Sequence, residues 1–306
     1  MLRTIALGPA LLAVVLAVVA AGCDHGTGRS TTSSTTRACG IGHPTGVRDL
    51  VVRVASGGGL VRPETGLGEV PELSVYGDGR AIVTGPVIEI YPPPALPNLL
   101  ESSLTEAELQ ALLHPADAGL LDREVDTGRP GVTDQPVTTI TVDADGEEHV
   151  TEVYALGFDG PGFTEQQQEA RERINAFVAK AHEIANGLGV ADPDTGSTSR
   201  PYALETLAVF TAGFERAAPN GACPPETLCA TQPVFFEWPL EDLATAGVAI
   251  DVPGYRCVVV AGGDAPTVLG AARSANALTP WTSGGVSYAL VFRPLLPDES
   301  SCAEVA

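Results

Sequence analysis

Cysteine thiols are the side chains of this sequence with the widest range of chemistry. A thiol can accept a covalent group, join a disulfide or, as a thiolate, bind a metal ion. The chain has six cysteines, which are Cys23, Cys39, Cys223, Cys229, Cys257 and Cys302. Only Cys23 directly follows a long apolar segment, so its chemistry must be considered apart from that of the other five.

The segment before Cys23 has the three parts of a secretory signal. Arg3 supplies a positive charge near the start, an apolar stretch runs from Ile5 to Ala21, and small residues lead to the cysteine. The stretch is interrupted by Gly8-Pro9 and is shorter than the ~20 residues that cross a bilayer comfortably. The sequence therefore predicts a signal peptide over residues 1–22 that is removed on export.

The end of this segment resembles a lipobox, the processing motif of bacterial lipoproteins. Val19-Ala20-Ala21-Gly22-Cys23 places small residues before the cysteine, although Ala20 stands where Leu is usual. The resemblance implies that Cys23 carries a diacylglycerol through a thioether and anchors the protein on the outer face of the cell membrane. The alternative is a secreted protein cleaved near Ala21, with Cys23 destined for a disulfide.

Residues 23–45 have the composition of a flexible tether. Seven consecutive Ser and Thr residues occupy positions 30–36, and apolar residues are few in the whole segment. Such a stretch cannot bury enough apolar surface to order itself. We therefore expect it to link a lipid anchor to a folded body, with two acyl chains giving stable attachment.

The charge of the exported chain limits its partners. Removal of residues 1–22 leaves 284 of the 306 residues, with 16 of the 17 basic residues and all 38 acidic ones, a formal net charge of −22. Nucleic acids require a basic face, and anionic lipid heads would be repelled, so we expect no nucleic-acid partner and attachment through the acyl chains alone. The acidic surface is interpreted as a solvated one, although it could attract cations or a basic partner.

Four of the remaining cysteines lie between positions 223 and 302 and predict two disulfides outside the cytoplasm. Four cysteines allow three pairings. We favour Cys223 with Cys229, which closes a short loop, and Cys257 with Cys302, which ties a strand to the chain end. Cys39 is then left over in the tether. No CxxC is present and no histidine follows His182, so no metal site is expected.

The body is predicted to be α+β, with antiparallel sheets built from hairpins and covered by helices on one face. A first unit over 46–190 has hairpin turns at Gly77-Asp78-Gly79 and at 143–146, and helices that begin with capping boxes at Thr105 and Thr164. A linker over 192–199 leads to a second, disulfide-stapled α+β unit over 200–306. The two units could share one sheet.

The second unit alternates apolar strand patterns with short helical ones. Strands are predicted over 204–210, 234–238, 255–260 and 286–292, and helices over 240–245 and 264–275. The loop Leu278–Gly285 could face a ligand, although Trp281 packed over a disulfide is the commoner arrangement.

No motif of a known catalytic or cofactor site is present. The chain lacks G-x-S-x-G, both Gly-rich phosphate motifs and paired histidines at metal-ligand spacing. The acidic clusters at Asp143 and Asp192 are interpreted as turns rather than calcium loops, and Ser283 as part of a turn. We therefore assign no catalytic residue and expect no cofactor.

The overall pattern resembles lipoproteins of unassigned function that are common in actinobacteria. The leading hypothesis is a non-enzymatic envelope protein that binds a protein partner or a small ligand. The alternatives are an extracellular hydrolase acting on wall material and a lipoprotein that captures a solute for a transporter. Converging ionisable groups in a pocket would favour the enzyme, and an exposed apolar patch would favour the binding protein.

Overall fold

The computed structural model describes residues 40–61, 63–117, 125–186, 199–214 and 234–306. The predicted signal peptide, the linker up to residue 198 and four cysteines lie outside these ranges: Cys23, Cys39, Cys223 and Cys229. Among the described residues, no helix is long and apolar enough to cross a membrane.

The first half of the body forms a seven-stranded sheet in which every neighbouring pair is antiparallel. Its strands are β1 (Leu50–Gly57), β2 (Leu73–Tyr76), β3 (Arg80–Thr84), β4 (Leu99–Ser103), β5 (Val137–Ala144), β6 (Glu147–Tyr154) and β7 (Arg200–Pro201). Their spatial order is β6-β5-β1-β2-β3-β4-β7. Three helices accompany the sheet: α1 (Pro63–Leu67), α2 (Glu106–Asp117) and α3 (Glu165–Ala185).

The hairpin turn between β5 and β6 and the two helix capping boxes that the sequence predicts are present in the structure. Asp145 and Gly146 have φ of 53° and 80° between β5 and β6, the left-handed geometry that two-residue hairpin turns require. Both capping boxes are present, with Glu108 N donating to Thr105 Oγ1 at 3.3 Å in α2 and Gln167 N donating to Thr164 Oγ1 at 3.2 Å in α3. These reciprocal bonds satisfy backbone donors that would otherwise lack a partner at a helix start.

The two faces of the first sheet are covered differently. On one face, strand residues such as Val54 and Val75 form a buried core with Leu112 of α2 and Phe177 of α3. This confirms the predicted α+β class. The opposite face carries Tyr76, Ile82 and Leu99, which pack against Leu296 near the chain end. The C-terminal segment therefore covers the face that the helices leave open.

The second half of the body forms a six-stranded sheet with the order β10-β11-β8-β13-β12-β9. Its strands are β8 (Leu207–Gly213), β9 (Phe236–Glu237), β10 (Val248–Ala249), β11 (Arg256–Val260), β12 (Pro280–Ser283) and β13 (Val286–Pro294), and α4 (Ala265–Ala272) is its helix. The pair β12–β9 is parallel and the other pairs are antiparallel. The two sheets share no strand. β7 belongs to the predicted second unit by its position in the chain, but it pairs with β4 in the first sheet.

Ile41–Ala306 is one compact unit rather than two independent ones. Arg53 of β1 donates to Asp298 at 2.8 Å, and Leu67 of α1 is buried with Phe210 of β8. The predicted units 46–190 and 200–306 therefore correspond to two sheets within one body. The body begins earlier than predicted, because Ile41 packs against the first core and Gly42 N donates to Asp145 at 2.8 Å. The predicted end of the tether at residue 45 is thus too late.

The predicted helix over 240–245 is wrong, since this segment forms turns. The side chain of Asp242 accepts a hydrogen bond from Ala244 N at 3.0 Å, and its carbonyl accepts bonds from Thr245 N and Ala246 N, each at 3.1 Å. An Asp side chain that bonds its own following backbone in this way competes with helix formation.

The favoured pairing of Cys257 with Cys302 is present in the structure, with their Cα atoms 6.0 Å apart. It ties β11 to the C-terminal 3-10 turn Cys302–Glu304. The disulfide is buried beside Phe210. Trp281 instead lies in the core formed with α4, edge-on to Trp238. For the Cys257–Cys302 disulfide, the expectation that a tryptophan packs over it is therefore wrong, and the predicted Cys223–Cys229 bond lies outside the described residues.

Candidate binding groove

The residues considered for catalysis in the sequence have structural roles. Ser283 is buried, accepts a hydrogen bond from Leu243 N at 3.0 Å and donates to Asp242 at 3.2 Å. It is followed by Gly284 and Gly285 with φ of 57° and 78°, which confirms a turn. Within the described ranges, no group of three or more His, Cys, Asp or Glu residues could hold a metal ion.

An apolar groove of about 760 Å³ lies where the loop between β3 and β4 meets β13. We call this surface the apolar groove. A Pro-rich loop between β3 and β4 lines much of it, together with the end of α1, the segment after α4 and the middle of β13. The lining residues are Thr65, Gly68, Glu69, Pro86, Val87, Ile88, Tyr91, Pro93, Pro94, Ala95, Leu96, Pro97, Asn98, Ala277, Leu278, Leu290, Val291 and Phe292.

The root of the Pro-rich loop is fixed by Asn98. Gly85 N donates to Asn98 O at 2.8 Å, and the Asn98 side chain donates to Pro86 O at 2.9 Å. A Cβ atom at Gly85 would lie 2.6 Å from Asn98 Nδ2, so the close approach requires glycine. The loop therefore leaves the first sheet along a defined path.

The far part of the loop is attached to the second half of the body. Ala277 N donates to Pro93 O at 2.9 Å, and Ala95 N donates to Ala275 O at 3.3 Å. Prolines at positions 92, 93, 94 and 97 fix φ along this part and restrict its conformations further. The wall of the groove is thus held at both ends and needs little ordering when a ligand binds.

The opposite wall is the end of α1, held against β13. A Cβ atom at Gly68 would lie 3.0 Å from the Cγ1 atom of Val291, a contact tighter than ordinary packing. The carbonyl of Glu69 accepts a hydrogen bond from Arg293 Nε at 3.1 Å. These contacts bring the first and second halves of the body together along the groove.

Large apolar side chains are exposed at the rim of the groove. Val87, Ile88, Tyr91 and Leu278 line it and are between 53% and 75% exposed, and Ile90 beside them is also exposed. Single exposed apolar residues are ordinary on a protein surface, but a contiguous group marks an interaction site. Covering these side chains would remove apolar area from water and supply binding free energy.

The lining of the groove is mainly apolar. Its polar side chains belong to Thr65, Glu69, Tyr91 and Asn98, and no His, Cys, Ser, Lys or Arg is among the described residues that line it. Partial burial raises the pKa of the Glu69 carboxyl.

One part of this groove is predicted by the sequence, since Leu278 begins the loop that could face a ligand. A further signal was available in Val87–Tyr91, a segment with four apolar side chains and Glu89 that directly precedes the prolines and is not a strand. Positions 65–69 and 290–292 carry no sequence signal for a groove, because ordinary helix and strand patterns explain them.

Comparison with known proteins finds no matching family model, no significantly similar curated protein and no significantly similar solved structure.

Proposed function

We propose that this chain is an exported, lipid-anchored envelope protein that binds the apolar chain of a neutral small molecule in the apolar groove. The single observation that carries the binding function is the group of exposed apolar side chains along a preformed groove between the Pro-rich loop and β13. The lipobox at Cys23 supports export and anchoring.

The size and lining of the groove support a small ligand. Small-molecule sites are usually clefts of roughly 300–1,000 Å³ with mainly apolar walls and few polar groups. The groove has about 760 Å³ and four polar side chains among 18 lining residues. A chain of methylene groups fits such walls, because each buried methylene contributes about 0.8 kcal/mol without needing a hydrogen-bond partner.

Charge supports a neutral rather than an anionic ligand. Glu69 is the one charged side chain among the described lining residues. Its carboxylate would repel an anionic head group, and no basic side chain of the described lining would offset this repulsion. At the outer face of a membrane, neutral lipids supply ligands with apolar chains, and we therefore favour this class over solutes of the aqueous phase.

The test of the groove is a fluorescence titration with Nile red, a neutral apolar dye. Val87→Ser should weaken binding roughly four- to tenfold. This range corresponds to the loss of about 0.8 kcal/mol per buried methylene, or slightly more, of binding free energy. Val248→Ser is the matched control, because Val248 lies outside the groove and is 60% exposed against 59% for Val87. Equal affinity of both variants would contradict the assignment of the dye site to the groove.

The anchor is tested separately by partitioning into detergent. The protein expressed with its signal should enter the detergent phase, and Cys23→Ser should remain in the aqueous phase, because two acyl chains give stable membrane attachment. Equal partitioning of both proteins would refute lipidation and leave the groove test unaffected.

A further inference from the structure

A second cavity, of about 470 Å³, has a different character from the apolar groove. Three arginines line it: Arg48 before β1, Arg80 at the start of β3, and Arg200 in β7. We call it the arginine cavity. The chain has only 17 basic residues against 38 acidic ones, whereas the lining of this cavity holds three arginines and three glutamates and is therefore less acidic than the chain as a whole.

Two of the carboxylates that line the cavity are almost fully buried and paired with arginines. Arg200 donates to Glu101 at 2.6 Å, yet the Arg200 side chain is 74% exposed and that of Glu101 only 7%. A ligand at this position therefore meets the guanidinium group before the carboxylate. Glu299 is likewise buried, and its charge is paired with Arg293, which does not line the cavity. Glu205 is the exposed acidic residue of the lining.

The cavity arginines keep donors for a ligand. Arg48 donates through Nε to Pro297 O at 2.7 Å, and Arg80 donates to Asp78 and to Val47 O. A guanidinium group has five N–H donors in a planar fork. The described hydrogen bonds use only some of the N–H donors of each guanidinium group. The planar arrangement of these donors is suited to paired contacts with an oxyanion.

Tyr202 adds a neutral donor to the same cavity. Burial raises the pKa of its hydroxyl, and the charge of Arg80 only partly opposes this effect. The hydroxyl therefore remains protonated at neutral pH and can donate a hydrogen bond.

The geometry points to the arginine cavity as a binding site for a small ligand that carries a carboxylate or a phosphate group. Because the formal net charge of −21 repels anions at a distance, selectivity would come from short hydrogen-bonded contacts with the guanidinium groups. This site is independent of the proposed function of the apolar groove, with which it shares no lining residue.

The test is isothermal titration calorimetry at low ionic strength, with inorganic phosphate and succinate as separate probes. Saturable binding at millimolar concentrations is expected for at least one of them. Tighter binding of phosphate would indicate a phosphorylated ligand, and tighter binding of succinate an organic acid. The absence of saturable binding for both probes would overturn the proposal.

Variants locate the site. Arg48→Gln and Arg200→Lys should each weaken binding about tenfold, as expected for the loss of one charge-assisted contact. Lysine at position 200 keeps a positive charge beside buried Glu101, which protects the fold. Glu205→Gln should strengthen binding because it removes the exposed negative charge. Arg273→Gln, at an exposed arginine that follows α4, is the control and should bind as the wild type does. Equal weakening by Arg273→Gln would refute the location.

Discussion

Glu299→Gln tests whether a buried ion pair stabilises the fold. Arg293 and Glu299 are paired with side chains that are 5% and 7% exposed. Arg293 Nη2 donates to Glu299 Oε1 at 2.8 Å, Leu296 N donates to Glu299 Oε2 at 2.7 Å, and Arg293 Nε donates to Glu69 O at 3.1 Å. The substitution keeps the shape and an acceptor for Leu296 but leaves the buried guanidinium without its counter-charge.

The expected loss in the free energy of unfolding is about 3–5 kcal/mol, the cost of leaving one partner of a buried pair uncompensated. Little solvent screening reduces this value, because both side chains are almost completely buried. Glu183→Gln is the matched control. It breaks an exposed pair with Lys180 at 3.1 Å, and such surface pairs contribute only ~0.2–1 kcal/mol.

Urea unfolding followed by circular dichroism measures both variants against the wild type. The stabilising role of the buried pair would be refuted if Glu299→Gln lowered the free energy of unfolding by less than about 1 kcal/mol, or by no more than Glu183→Gln does. Either result would show that the buried ion pair stabilises the fold no more than a surface pair. A third variant, Arg293→Met with Glu299→Leu, removes both charges together. It should be closer to the wild type than Glu299→Gln, since burying two apolar side chains leaves no unpaired charge.

The remaining predictions concern the disulfide and the pH dependence of stability. Cys257→Ala with Cys302→Ala should lower the free energy of unfolding by about 4 kcal/mol, because the bond closes a loop with a sequence separation of 45; an unchanged urea midpoint would contradict this. For Asp298, burial alone would raise the pKa, but hydrogen bonds from Arg53 and Tyr76 hold the pKa below its ordinary value. A depressed pKa contributes stability that is present above the unfolded pKa of about 3.9 and is lost as pH falls through the folded value. The stability advantage of the wild type over Asp298→Asn should therefore be full at pH 7 and shrink below about pH 4 in thermal unfolding; a constant difference over this range would contradict the assignment.

The elements that could be predicted from the sequence are those with local causes. The hairpin at Asp145-Gly146 and the capping boxes at Thr105 and Thr164 depend on residues within a few positions of one another, and all three are present. The Cys257–Cys302 pairing was one of three possible pairings, and it was favoured because it would tie a strand to the chain end. The short helix over 240–245 failed for a local reason as well, since Asp242 bonds its own backbone.

The arrangement of the two halves could not be predicted, because it depends on contacts between distant parts of the chain. Arg53 meets Asp298 across 245 positions, and Glu69 meets Arg293 across 224. In the sequence, Arg53, Arg293 and Asp298 resemble ordinary solvated charges, and Glu69 takes part through its backbone carbonyl, which no sequence pattern marks. The predicted boundary near residues 190–200 consequently separated two sheets that belong to one compact unit.

Both cavities depend on the same C-terminal segment. Leu290, Val291 and Phe292 line the apolar groove, and Leu295, Leu296, Pro297 and Glu299 line the arginine cavity. Arg293 lies between these two groups in the chain and binds both Glu69 at the groove and Glu299 at the arginine cavity. The ion pair that stabilises the fold is thus also the structural support of both cavities. Glu299→Gln should therefore weaken binding of the dye at urea concentrations far below unfolding, because Arg293 would hold Glu69 and the end of α1 less firmly against β13. Binding of the anion should not weaken, because the substitution removes a negative charge from the lining of the arginine cavity. Val87→Ser and Arg48→Gln should each affect one ligand, since each side chain lines only one of the cavities.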